Sequence, residues 1–235
     1  MHQTPAELPA TSSSTTWLLL ITGVVLGGGL ALMLLPAILP ALRDSALGSS
    51  PKAYWYLARV SGLVAYTLLW ASVAMGLLIS GRVSRIWPGG PNAVDLHNFL
   101  SMLGLSMSLF HVAILLGDRY IGYTVVTLLV PFLGHSYRPI EVGLGQLGMY
   151  LGWIIALSFY VRKHMGPRGW RRLHYGSFGM YVLVTLHGIL AGTDTLALPV
   201  LVLYFITAGL TFYLLIYRIL AMAKSESPAR AKHTA

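Results

Sequence analysis

The chain has 235 residues, 56% hydrophobic and only 10% charged, with a mean hydropathy of +0.70. Soluble domains carry about a quarter charged residues, so a soluble domain and a disordered chain are both excluded, and the lack of cysteine excludes disulfides, thiolate metal sites, iron–sulfur clusters and thiol catalysis. The formal charge of +9 is read as membrane topology rather than as nucleic-acid binding, because the chain is so apolar.

A spanning helix needs roughly 20 mostly apolar residues. Six segments meet that length: Trp17–Leu39, Trp55–Ser80, Leu96–Leu116, Val142–Val161, Leu173–Ala191 and Leu196–Met222. The predicted fold is all-α, a polytopic membrane bundle of six transmembrane helices. Residues 1–16 and 223–235 read as short cytoplasmic tails around a transmembrane domain over 17–222. The first tail has no basic region, so no cleaved signal peptide is expected. WPGGP is a turn signal, after which the third helix is expected to start at Asp95 as its N-cap. The stretch from Tyr123 to His135 is apolar but too short to span, and Pro131 interrupts it. It is predicted to be an interfacial or re-entrant segment covering the outer end of the bundle. The fifth helix is expected just after GPRGW.

Eleven of the sixteen basic residues then fall on one side. They are Arg82 and Arg85, the loop cations Arg162, Lys163, Arg168, Arg171 and Arg172, and Arg218, Lys224, Arg230 and Lys232 near the C-terminus. That side is assigned to the cytoplasm, with both termini. Arg43, Lys52, Arg59, Arg119 and Arg138 lie on the other side. The third and fifth helices both run outward, so they are parallel.

Eight histidines outnumber the seven acids, and four of them fall inside these two parallel helices. An ionisable residue inside a membrane marks a functional site by default. His97 and His111 are fourteen residues apart, roughly 21 Å along a helix; His174 and His187 are thirteen apart, roughly 20 Å. His97 can therefore face His174 near the cytoplasmic surface, and His111 can face His187 near the outer surface. Each pair offers two imidazoles across a gap, as the axial ligands of a haem iron. Fourteen helical steps return to within about 40° of the same face, whereas thirteen miss by about 140°. The fifth helix must therefore be tilted, be locally irregular, or present its histidines to different sides. Gly176, Gly179 and Gly188 would permit bending and close approach of a macrocycle. A single four-histidine zinc site is forbidden by the separation within each helix. A proton relay lacks acid partners.

The segments DLHNFLSMLGLSMSLFHVAILL and WRRLHYGSFGMYVLVTLHGILAGTD resemble the ferric reductase-like transmembrane domain, the superfamily of NADPH oxidases, ferric reductases and the haem subunit of bacterial methionine sulfoxide reductase. LVPFLGHSYRPIEVGLGQLGMYL resembles its bacterial members. The likeness runs from about Tyr54 to Met222. It implies six helices, two b-type haems ligated as His97/His174 and His111/His187, and a bacterial inner or other cell-surface membrane. No GxGxxG dinucleotide fold is present. The expected donor is therefore a separate cytoplasmic flavoprotein reductase, a free reduced flavin or a quinol. The expected acceptor outside is ferric iron, dioxygen or a redox partner protein. The family also has an arginine near the outer haem. Arg59, at the outer end of the second helix, is a candidate for an outer haem propionate, with lipid phosphate as the other possible partner. Arg171 and Arg172, beside His174, are candidates for inner propionates or for docking an acidic flavoprotein. His135, Tyr137 and Arg138 lie on the outer segment, where electrons would emerge. A quinol-oxidising subunit of a larger complex, and a non-redox transporter or scaffold, are the other functions considered.

Overall fold

The computed structural model describes residues 21, 22, 26, 53–81, 83, 89–118, 121–134 and 137–230, the last nine by backbone alone. Apart from residues 21, 22 and 26 the first expected span lies outside the described residues, as do residues 1–16 and 231–235 of the tails and Arg43, Lys52, Arg82, Arg85, Arg119 and His135. Six helices follow in order: α1 (Ala53–Ser80), α2 (Gly90–Leu115), α3 (Val125–Leu129), α4 (Pro139–His174), α5 (Gly176–Ala191) and α6 (Leu198–Arg230). The described residues contain no strand. Among the described residues four helical stretches are long and apolar enough to cross a membrane: Ala53–Ser80, Gly90–Leu115, Pro139–Ala191 and Leu198–Ala221. In lipid every backbone polar group must be satisfied within its own segment, which selects helices for such stretches.

The helices bury an apolar core but also expose large apolar side chains while enclosing several small polar ones. Thr207 is completely buried while Phe205, two residues away, is 72% exposed. Ser61, Ser72, Ser106, Ser158 and Thr211 are buried as well, and Leu157, Phe212 and Leu220 face outward. Small and polar residues inside with large apolar residues outside is the arrangement lipid favours, because side-chain packing and interhelical hydrogen bonds hold such helices together.

The contacts set the helix directions. Gly62 meets His111, Gly104 meets Leu69, and Gly76 meets His97, so α1 and α2 are antiparallel. Gly145 meets His187, Gly148 meets Val184, and Gly152 meets Met180, so α4 and α5 are antiparallel too. Those pairs centre on Gly166, the one position inside α4 with non-helical angles (φ 69°, ψ 163°), followed directly by Pro167. Positive φ is tolerated at glycine, and proline both removes a donor and restricts the residue before it. The long third stretch is therefore a hairpin turning at Gly166. The basic segment expected to be a loop is helical on both sides of this one residue. Tyr66 meets Thr207 and Trp70 meets Thr211, so α6 runs parallel to α1. With His97 facing His174, the last residue of α4, and His111 facing His187 in α5, the chain from His174 through α5 runs parallel to α2, as expected.

α2 begins at Gly90, earlier than the expected Asp95, with Gly89 as its N-cap and Pro91 in the first turn. A proline there lacks only an N–H that has no helical partner anyway, so WPGGP starts the helix early instead of delaying it.

Candidate functional site: two facing histidine pairs

The four intramembrane histidines meet in the pairs expected. The ring centres of His97 and His174 are 6.0 Å apart with the planes at 67°. Those of His111 and His187 are 6.4 Å apart at 72°. His97 and His111 share the uninterrupted helix α2, which separates the two levels by roughly 21 Å. The irregularity required in the fifth segment lies between its two histidines. His174 closes α4, and at Tyr175 the backbone tightens, Phe178 N–H donating to Tyr175 O at 3.2 Å.

Three of the rings are held by a main-chain carbonyl of a neighbouring helix. His97 Nδ1 donates to Ser72 O (2.9 Å), His111 Nδ1 to Ala58 O (2.7 Å), and His187 Nδ1 to Glu141 O (2.8 Å). A carbonyl only accepts, so the proton sits on Nδ1 and the lone pair on Nε2. This is the arrangement of a metal-bound histidine, whose second nitrogen donates to a carbonyl or carboxylate. His174 is held differently: its ring stacks on Trp170, centres 5.0 Å apart at 26°.

The spacing suits one metal between each pair. A metal–imidazole bond of about 2.0 Å, plus about 1.1 Å from Nε2 to the ring centre, gives roughly 6.2 Å between centres across a shared ion. Both pairs lie within a few tenths of an ångström of that value. Among the described residues no three His, Asp or Glu converge on a point that could hold a metal. Two histidines alone leave the other positions around an ion to be filled by a bound group, which is what a macrocycle with four nitrogens does. At the first pair there is room. A cavity of about 1430 Å³ opens around His97 and His174, walled by Leu69, Leu105, Phe178 and Met180 and by Ser72 and Ser101. It exceeds the roughly 300–1,000 Å³ of ordinary small-ligand pockets.

The arginines separate. Arg171 lines this cavity, joined by Arg162 and Arg218, which sequence reasoning did not single out. Arg172 is exposed and outside its lining. Arg59 lies one residue beyond the Ala58 carbonyl that holds His111. Its guanidinium pairs with Asp194 and sits 4.0 Å over the Trp55 ring. It therefore has an anionic partner within the chain. A Cβ built on Gly176 or Gly179, expected to admit a macrocycle, would lie 3.5 or 3.7 Å from Leu151, which is ordinary contact, and one on Gly188 would meet the Tyr204 hydroxyl. Gly62, Gly76 and Gly145, which sequence reasoning passed over, are the ones touching histidines.

The segment after α2 packs against the first turns of α4, at the level of His187. Gln146 Nε2 donates to Thr127 O (2.9 Å) and Leu128 O (2.8 Å), and the Tyr150 hydroxyl donates to Leu129 O. Tyr137 OH donates to Ala191 O at 2.7 Å, and the Arg138 guanidinium to Leu190 O. These two residues satisfy carbonyls that the last turn of α5 leaves without helical partners. Burial pushes the Tyr123 hydroxyl up to about 12, with the charges of Tyr137 and Asp118 adding to the effect, so it stays protonated and donates to Tyr137 O. Gln146→Leu is expected to free the segment by about 1–2 kcal/mol. Hydrogen exchange of 123–134 should quicken by roughly tenfold while α1 and α2 keep their protection. Unchanged exchange there would show that other contacts hold it.

Compared with protein-family models, with curated proteins and with solved structures, the chain matches none. Its function is therefore argued from the site alone.

Proposed function

We propose that the protein is a di-haem b-type cytochrome that carries electrons across a membrane. Haems would be held by His97/His174 near the cytoplasmic face and by His111/His187 near the outer face. The observation carrying this reading is the pair of facing imidazoles repeated at two depths, at centre distances suited to one shared iron, with Nδ1 of three rings tied to carbonyls. When bound, each iron porphyrin supplies a one-electron ferric/ferrous couple.

The chain's own part is to orient four Nε2 lone pairs, to keep water away with the apolar layer of Leu69, Val73, Leu105 and Met180, and to hold the two levels a fixed distance apart on α2. Six crossings follow if residues 17–39 span once and the Gly166 hairpin spans twice. The cation-rich hairpin tip then lies in the cytoplasm with both termini. That places the open cavity of His97 and His174 toward a cytoplasmic donor, a flavoprotein or reduced flavin. The acceptor outside is ferric iron, dioxygen or a redox protein. This is the activity a ferric reductase-like domain implies, in a bacterial inner membrane or another cell-surface membrane. Arg171 is placed to meet an anionic group at the cavity. Arg59 is engaged with Asp194, so its part at the outer haem is to brace the carbonyl-bearing turn of α1.

Protein purified from membranes is expected to show b-type bands in a reduced-minus-oxidised spectrum, with two haems per chain. In sealed vesicles, reduced flavin on one side should reduce a ferric chelate trapped on the other. A purified, folded protein without b-type bands would sink the conduit and favour a scaffold or transporter. A spectral shift caused by a quinone-site inhibitor would instead point to quinol as the donor.

A further inference from the structure

The same local device holds three of the four histidines. Each accepting carbonyl belongs to a residue whose fourth successor is a glycine, and that glycine touches the same ring. Ala58 O and Gly62 receive His111; Ser72 O and Gly76 receive His97; Glu141 O and Gly145 receive His187. The geometry of the α-helix explains the spacing. The carbonyl of one residue points along the axis toward the N–H four residues later, so a side chain at that later position flanks the carbonyl. A ring reaching the carbonyl from a neighbouring helix must pass over that position, and where it passes closest, at Gly62 and Gly145, only glycine leaves the space.

We propose that Gly62 and Gly145 are positioning residues, notches that admit the His111 and His187 rings to a main-chain carbonyl and so aim each Nε2 into the gap between the rings, whereas Gly76, at the equivalent place beside His97, leaves room for a side chain. The proposal rests on the di-haem reading for what the aimed nitrogen binds. The fit is graded. A Cβ built on Gly145 would lie 2.7 Å from His187 Nδ1, one on Gly62 would lie 3.1 Å from His111 Cε1, and one on Gly76 would lie 3.4 Å from His97 Cε1. The first is closer than Cβ contacts come, the second requires the ring to yield by a few tenths of an ångström, and the third is ordinary contact. Two notches serve the His111/His187 pair and hold it from both sides. The His97/His174 pair has no such tight notch: a Cβ on Gly76 would make ordinary contact, and His174 rests on Trp170. The two sites therefore differ in rigidity.

Alanine at each of the three positions tests this in the full chain. Gly145→Ala is expected to lose about half of the haem, all from one site. Gly62→Ala should keep most of its haem but shift the low-temperature electron paramagnetic resonance signal of that same site, because the ring plane turns. Gly76→Ala should resemble the wild type in both readouts. An equal effect of all three, or the reverse order, would overturn the proposal. A double-mutant cycle separates ring placement from helix packing. In a His187→Ala background the ring is gone, so adding Gly145→Ala should change neither purified yield nor thermal stability. If it is as damaging there as in the wild type, the glycine acts on packing and the notch is refuted. A wild type free of haem would overturn the di-haem reading alone, since the cycle on yield and stability would still decide the notch.

Discussion

Replacing His187 by alanine is expected to remove about half of the bound haem and leave the rest spectrally unchanged. The ring of His187 faces His111 alone among the four histidines, with centres 6.4 Å apart. The other pair lies roughly 20 Å away along the helix axes, beyond the distance over which substitutions ordinarily couple. His111→Ala should lose the same half, and the double variant should lose no more than either single one. His97→Ala should remove the complementary half, so His97→Ala combined with His187→Ala should leave a chain without haem. Haem per chain and the reduced-minus-oxidised spectrum read these outcomes directly. Two haems retained in His187→Ala would refute the ligand assignment.

A second substitution should abolish both sites at once while touching no histidine. Gly104 lies midway along α2 between His97 and His111, packed against Leu69 of α1. A Cβ there would sit 3.0 Å from Leu69 Cγ and 3.1 Å from the Leu69 backbone nitrogen. The Leu69 side chain could move aside, but its backbone moves only with the helix. Gly104→Val should therefore force α1 away from α2, at a cost of about 1–3 kcal/mol or more. α1 supplies the Ala58 and Ser72 carbonyls, and α2 carries the two histidines they hold. Both pairs should lose their alignment together, with most haem lost and lowered thermal stability in detergent. Gly209→Val is the matched control. Gly209 is exposed and a Cβ there would meet nothing within 4 Å, so haem content and stability should stay at wild-type levels. Full haem in Gly104→Val would show that the helix approach is not what aligns the rings.

The pairing of the histidines was legible without coordinates because it depends on quantities local to each helix. Rise per residue puts His97 and His111 at two depths. The turn signals and the distribution of basic residues make their helix parallel to the one that carries His174 and His187. The start of α2 was misplaced because Asp95 is a good cap by residue type, whereas Pro91 and Gly89 permit an earlier start. The glycines beside the rings escaped the sequence for a different reason. Gly176, Gly179 and Gly188 stand near histidines in sequence, but the space beside a histidine ring is set by whichever helix packs there. Those neighbours carry Gly62, Gly76 and Gly145, each far away along the chain.

Apolar composition and its interruption by turn signals determined, from the sequence alone, that this chain forms membrane-length helices, because unpaired backbone groups are too costly in lipid. Helical rise likewise set the two depths at which imidazoles stand. Tertiary structure alone decided which ring nitrogen is left free, that Arg59 engages Asp194, and where the long third stretch turns back. Each of these depends on an atom contributed by another helix, and no pattern within one helix specifies the partner against which it will pack.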